Sequence, residues 1–265
     1  MKLAIGRGNK VVVNVLLILV TMAMLPVVSL SAQEKLLKIG YFTCPPHIFN
    51  NAGDAKPVGA AVDYWESVVA KKMNSKIEWV GPLPFSRYLT MLESGEIDVA
   101  VVLGKNAARQ EFGYYSEGEL YQAQSTILVL NDSVVKKVSD VNDIISLKIG
   151  YAQGQMISPL MQDKRIKWDM ISASDWIEPN FQKLQLKRVD ALFFIEGFVA
   201  QFNLKKDKLN EKIRLIPLPE ATNPMFSVFS KKSVIAKEIF DKYNQIQKEQ
   251  NKLNTYMTFL KRYIE

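Results

Sequence analysis

Two stretches of the chain carry the same phrase, Leu92-Glu93-Ser94-Gly95-Glu96-Ile97-Asp98-Val99-Ala100 and Leu184-Gln185-Leu186-Lys187-Arg188-Val189-Asp190-Ala191-Leu192. Each runs from a helical pattern through a short polar turn to an apolar residue, an aspartate and an apolar run. The runs at 98–103 and 190–195 are almost unbroken in apolar residues. Strands buried on both faces of a parallel sheet read this way. The fold class is therefore α/β, with two mostly parallel sheets flanked by helices.

Outward from these phrases, strands and helices alternate. Strands are expected at 37–42, 77–80, 98–103 and 124–130, and again at 147–151, 170–172, 190–195, 213–218 and 225–229. Helices are expected at 62–73, 86–93, 156–163, 176–186 and 197–203, with two more at 235–248 and 252–263. Val62, Trp65, Val69 and Met73 share one face of the first helix. Ser86 is the expected N-cap of the second and Gly95 its stop. The segments 124–130 and 225–229 read as paired crossings, one leaving a first lobe and one returning to it. That places lobe 1 at 36–128 plus 227–265 and lobe 2 at 129–226, joined by a two-strand hinge. Ligands of such sheets bind beyond the carboxyl ends of the strands, here in the cleft between the lobes.

The 265 residues are 48% apolar and 23% charged, ordinary for a globular protein. This excludes a disordered tail, a collagen-like chain and a multi-span membrane protein. A single cysteine, Cys44, excludes an internal disulfide framework and a Cys-based zinc site. A single histidine, His47, excludes a multi-His metal centre and leaves little room for a Ser-His-Asp enzyme. No metal and no cofactor is expected.

Residues 1–10 hold Lys2, Arg7 and Lys10 and no acid, 11–30 are almost wholly apolar, and Ser29-Leu30-Ser31-Ala32 closes the run. This is the order of a secretory signal peptide, 1–32, cleaved near Ala32. The alternative is an uncleaved anchor, since the run is long enough to span a bilayer. The signal peptide accounts for three of the seven net positive charges, so the basicity does not argue for nucleic acid. An exported chain with one unpaired cysteine fits the bacterial periplasm.

The ordered phrases along the mature chain resemble the bacterial extracellular solute-binding proteins of family 3, the periplasmic components of amino-acid ABC importers. They are Leu37-Lys38-Ile39-Gly40-Tyr41, Cys44-Pro45-Pro46-His47-Ile48-Phe49, Lys56-Pro57-Val58-Gly59 with Val62-Asp63, Ser94 to Val99, Arg109 with Tyr115-Ser116, Arg188-Val189-Asp190-Ala191, and Ser227 to Lys232. The resemblance covers nearly all of 35–265 and implies the type 2, two-lobe periplasmic binding fold. Pro82-Leu83-Pro84-Phe85-Ser86-Arg87-Tyr88 is similar to a Pro-aromatic-x-Arg variant within that family.

The resemblance implies that Arg109 grips a ligand carboxylate through two parallel hydrogen bonds. The competing reading is a solvated arginine at a helix start. Family members usually carry threonine near here, where this chain has Asn106. Glu196 follows an apolar strand and is expected at its carboxyl end, facing the cleft, where the family commonly has an aspartate for the ligand ammonium. The competing reading is an acid favoured by a helix dipole. Gly154-Gln155-Met156 is expected to follow a strand and open a helix, where backbone N–H groups suit an anion. Amino-acid binders of the family often have Gly-Thr-Thr there. Tyr41, Phe42, Phe49 and Phe85 are candidates for an aromatic wall, with Phe49 and Phe85 preferred as loop residues. Arg87 is a candidate second anion contact, or else the exposed face of a helix. His47 reads as a surface or supporting residue, and Cys44 as a small packed one.

The function so implied is a monomeric periplasmic binding protein. It captures a small polar solute, an amino acid or related carboxylate, by hinge closure for an inner-membrane ABC permease. Two alternatives stand beside it. One is an enzyme on the same scaffold, similar to cyclohexadienyl dehydratase, for which Glu196, Glu117, Glu119 and His47 are the candidate acids and bases. The other is a sensory binding protein that docks on a receptor.

Overall fold

The computed structural model describes residues 35–265, so the expected signal peptide and its cleavage point lie outside the described residues. Strands β1 (Lys35–Gly40), β2 (Ser75–Val80) and β3 (Val99–Gly104) pair in parallel, in the order β2-β1-β3. Two short strands follow, β4 (Gly113–Tyr115) and β5 (Tyr121–Ala123). The chain then builds a second sheet from β6 (Thr126–Leu130), β7 (Lys148–Ala152), β8 (Lys167–Ile171), β9 (Ala191–Phe194) and β10 (Ile213–Pro217), ordered β10-β6-β9-β7-β8. It returns as β11 (Asn223–Ser230), antiparallel between β3 and β4 and paired also with β5.

The two sheets share one plan. A parallel triplet, β2-β1-β3 or β8-β7-β9, is followed by a crossing strand, β11 or β6, that runs antiparallel to it. Pairing is thus parallel within each triplet and antiparallel around the crossings, as the mixed sheets of α/β folds often are. All of β6 lies in the second sheet and all of β11 in the first. The changeovers fall at Gln124-Ser125 and between Leu218 and Thr222, and the expected boundaries at 128/129 and 226/227 fall inside the crossing strands.

The repeated phrase marks one local device used twice. Asp98 directly precedes β3 and Asp190 directly precedes β9. The Oδ2 of Asp98 accepts from the Lys38 N–H at 2.8 Å, and the Oδ2 of Asp190 accepts from the Lys148 N–H at 2.8 Å. Each aspartate N–H donates back to the carbonyl of the same lysine. The carboxylate satisfies a strand N–H that the ladder has not yet reached. It also sets the register, Ile39 to Val99 in one sheet and Ile149 to Ala191 in the other.

Helix α1 spans residues 60–73 and is π-helical over Trp65–Ala70. It buries Val62, Trp65, Val69 and Met73, the expected face. Helix α2 (Phe85–Ser94) ends at Gly95 in the left-handed conformation, φ 84°. Its N-cap is Pro84, and Ser86 makes no cap. Short α3 (Ala107–Phe112), with β4 and β5, was not foreseen; none is long enough to show a period. The helix expected at 156–163 is absent, and only a 3₁₀ turn, Leu160–Gln162, forms. Pro159 disfavours helical backbone at Ser158. Helices α4 (Ile177–Gln185) and α5 (Gly197–Lys206) flank the second sheet, and α6 (Val234–Lys252) and α7 (Thr255–Ile264) close the chain. Trp65 stacks on Tyr243 of α6 at 5.1 Å, within a core that includes both sheets.

Asp98 is buried and also accepts from the Ser233 hydroxyl, whereas Asp190 is exposed. Replacing Asp98 by Ala should cost about 1–3 kcal/mol, since a buried N–H loses its partner. Asp190→Ala should cost under about 1 kcal/mol, because water replaces the carboxylate. Urea unfolding measures both, and equal losses would show that burial does not set the difference. Burial also holds the hydroxyls of Tyr88, Tyr121, Tyr243 and Tyr256 protonated well above the ordinary 10.0. Above about pH 10 the unfolded chain releases these protons and the folded chain keeps them, so stability falls as pH rises further. Tyrosinate absorbance should rise together with loss of circular dichroism. Full ionisation of the folded protein would contradict the assigned burial.

Candidate functional site

The carboxyl ends of β3 and β9 meet at a cavity of about 30 Å³ lined by residues of both sheets. Phe42, Phe85, Leu103 and Met225 come from the first side, and Met156, Trp176, Phe194 and Val199 from the second. Only Arg109, Glu196 and Gln155 add strongly polar groups, with the Cys44 thiol beside them. The lining is thus apolar with a few aimed donors and acceptors, as small-ligand sites are.

Arg109 is the third residue of α3 and is 4% exposed. Asn106 caps that helix, its Oδ1 accepting from the Arg109 N–H at 2.9 Å. The guanidinium donates through Nη1 to the Gly104 carbonyl at 2.9 Å and through Nη2 to the Gly154 carbonyl at 3.1 Å. It lies 5.3 Å from the centre of the Phe85 ring. Burial lowers its pKa below the ordinary arginine value. Arginine nevertheless stays charged in proteins. No ion pair joins Arg109 to an acid among the described residues.

The approach of the guanidinium depends on the end of β3. Val102 has φ 58°, a conformation that β-branched residues strongly avoid. The register against β11 slips at the same place, between Phe226 and Val228. Beyond it the Gly104 carbonyl accepts from both Arg109 and the Tyr115 hydroxyl. A Cβ at Gly104 would stand 2.7 Å from the Met156 methyl, the flexible end of a side chain that would have to shift to admit it.

Glu196 follows β9 and caps α5, its Oε2 accepting from the Val199 N–H at 2.7 Å. It is 4% exposed, and its Oε1 has no hydrogen-bond partner. Gln155 also lines the cavity, and its Nε2 likewise has no partner. His47 is wholly buried, which corrects its reading as a surface residue. Its Nε2 stands 3.4 Å from the Glu196 Oε2. This pairing has no local signal, because the two residues lie in distant segments.

The structure brings Arg109, Glu196, Phe85 and Gln155 to one cavity and leaves other candidates outside it. Phe85 is the first residue of α2, not a loop residue. Phe42 meets it edge-on at 4.7 Å. Phe49 packs on Phe202 and Tyr263, away from the cavity. Arg87 is on the exposed face of α2. Tyr41 turns toward Asn50 and Trp79. Gly154 and Asn106 line an outer groove of about 730 Å³. Arg109, Gln155 and Met156 border both spaces and form the partition between them. Because no helix starts at Met156, the expected helix N-terminal anion site is not formed.

A search of curated proteins finds no match. Solved structures do. An ancestral arginine-binding protein bound to arginine is 23% identical with a TM-score of 0.73, covering 88% of this chain and 99% of that one. An amino acid ABC transporter substrate-binding protein from Streptococcus pneumoniae bound to L-arginine is 17% identical with a TM-score of 0.73, covering 86% and 94%. The ancestral amino acid-binding protein that is a precursor of cyclohexadienyl dehydratase is 19% identical with a TM-score of 0.70, covering 87% and 95%. At these identities the likeness is one of fold, the two-lobe type 2 periplasmic binding fold. The family model of the bacterial extracellular solute-binding proteins, family 3, matches residues 37–265, and the chain belongs to that family.

Proposed function

We propose that the protein captures an amino acid or a related small carboxylate in the periplasm, by closing its two lobes around it, and presents it to an inner-membrane ABC permease. The lobes are the two sheet units, and the hinge is the pair of changeovers at Gln124-Ser125 and between Leu218 and Thr222. The observation that carries this reading is charge placement. A buried guanidinium with no acid partner and a buried carboxylate oxygen with no donor line the same cavity from opposite sheets. A zwitterion supplies both missing partners.

Size supports a closing motion. A cavity of about 30 Å³ has room for only one or two waters, each needing roughly 10–15 Å³. An amino acid enters only when the sheets separate and Met156 moves off Gly104. Separation frees the Arg109 Nη2 from the Gly154 carbonyl, and a ligand carboxylate takes that donor. Charge-assisted bonds of this kind are stronger than neutral ones. Two of the structural neighbours are bound to arginine, which makes L-arginine the first probe.

A second reading rests on the Glu196–His47 pair, in which Glu196 lines the cavity and the His47 imidazole stands 3.4 Å from its carboxyl group. General acid–base chemistry on a carboxylate substrate would use Glu196, because His47 does not line the cavity. Turnover of prephenate or arogenate by the purified protein would favour this reading over capture alone.

Thermal unfolding against L-arginine, other amino acids and short organic acids tests the main reading. A ligand at 100 times its Kd should stabilise the protein by about 2.7 kcal/mol, several degrees in Tm. Arg109→Ala should abolish the shift, and Arg109→Lys should restore little, lacking two parallel donors. Glu196→Gln should weaken amino acids by about 2 kcal/mol or more, roughly thirty-fold in Kd. Wild-type binding by Arg109→Ala would overturn the assignment of the cleft.

A further inference from the structure

We infer that His47 is a positioning residue for the ligand-binding carboxylate of Glu196. It fixes which oxygen faces the cavity without touching the ligand. This rests on the reading of the cleft given above.

The arrangement begins with burial. Glu196 carries its charge into a region closed to water, and a buried carboxylate persists there only when its oxygens are met. The Val199 N–H meets Oε2 at the start of α5. Among the described residues the only ion-pair partner of Glu196 is His47, whose Nε2 faces the same Oε2 at 3.4 Å. At this distance and angle the nitrogen makes no hydrogen bond, to Glu196 or to any other acceptor, so Oε2 is the group placed to receive it. With Oε2 bonded to the Val199 N–H and faced by His47 at 3.4 Å, Oε1 is the oxygen left without a partner.

The imidazole cannot drift from this post. Its Nδ1 lies 2.8 Å from the Tyr256 hydroxyl of α7. Its ring stacks on Tyr121 of β5 at 4.5 Å and an interplanar angle of 11°, and Phe198 of α5 closes the edge. These neighbours also register the Glu196 charge. After burial, that charge is the next cause raising the pKa of Cys44 and Tyr121, and it contributes at Tyr256. All three therefore stay neutral beside it.

The contact also spans the fold. His47 belongs to the turn after β1, against the first sheet, whereas Glu196 ends β9 of the second. The oxygen that receives the ligand is thus oriented from the opposite lobe, and only when the lobes are together.

The chain has one histidine, so its ring nitrogens are read without assignment ambiguity. Nitrogen-15 NMR of the histidine-labelled protein should show Nε2 protonated, with its N–H signal displaced in Glu196→Gln. An unprotonated Nε2, or a signal indifferent to Glu196→Gln, would overturn the inference. Binding gives the second readout, using L-arginine and its desamino analogue 5-guanidinopentanoate. His47→Phe should weaken L-arginine about ten-fold or more while leaving the desamino compound unchanged. His47→Gln, which keeps a donor near the Nε2 position, should restore the preference, and the shorter His47→Asn should not. Equal weakening of both compounds, or rescue by Asn rather than Gln, would reduce His47 to a structural role and overturn the proposal. If neither compound binds the wild type, the arginine-type ligand of the preceding reading fails, and the nitrogen spectrum decides the role of His47 by itself.

Discussion

A guanidinium that is shut away from water must keep its hydrogen bonds, and Arg109 meets that demand with carbonyls from both sheets, Gly104 on one side and Gly154 on the other. Much of the site follows from this. The end of β3 must turn its carbonyl inward, which it does through the left-handed Val102 and the register slip against β11. Strain of this kind costs on the order of 1–3 kcal/mol and persists only where the surroundings enforce it. Here the aromatic floor of Phe85 and the cap at Asn106 hold the side chain that makes the distortion useful.

The opposite charge is handled differently. Arg109 is satisfied by neutral carbonyls, which a carboxylate can displace. Glu196 is satisfied on one oxygen by a helix N–H and faced there by a histidine, and neither is displaced by an amino acid. On the proposed reading, one pole of the cleft exchanges partners on binding and the other is preorganised. Preorganisation lowers the cost of ordering at the moment of capture.

What the sequence made legible was local. The paired Asp98 and Asp190 phrases read correctly as turn-to-strand boundaries because the polar turn, the aspartate and the buried strand are contiguous, although the N–H groups the carboxylates meet lie 60 and 42 residues away. Buried strands announce themselves by composition, and the face of α1 by its period. The failures come from long range. His47 is buried by Tyr121, Tyr256 and Phe198, the hydroxyl partner being 209 residues away along the chain. Nothing near Pro45-Pro46 signals that. Phe49 and Phe85 look alike as aromatic residues among prolines and turns, yet one packs on α5 and α7 and the other floors the cavity. The missing helix after Gly154 was a local error, since Pro159 was there to be read.

The closed cleft also limits what a ligand can add. Several contacts join the lobes through protein atoms alone, and three of them involve residues that line the cavity. Arg109 reaches Gly154, the Trp176 indole donates to the Thr43 carbonyl at 2.9 Å, and His47 faces Glu196. Each favours closure whether or not a solute is bound. A ligand shifts the balance between open and closed only by what it contributes beyond them. On the proposed reading, that surplus is the exchange of a carbonyl for a carboxylate at Arg109 and a donor supplied to Glu196 Oε1. Affinity is then set less by the number of contacts than by how far those two exchanges outweigh the contacts that opening must break.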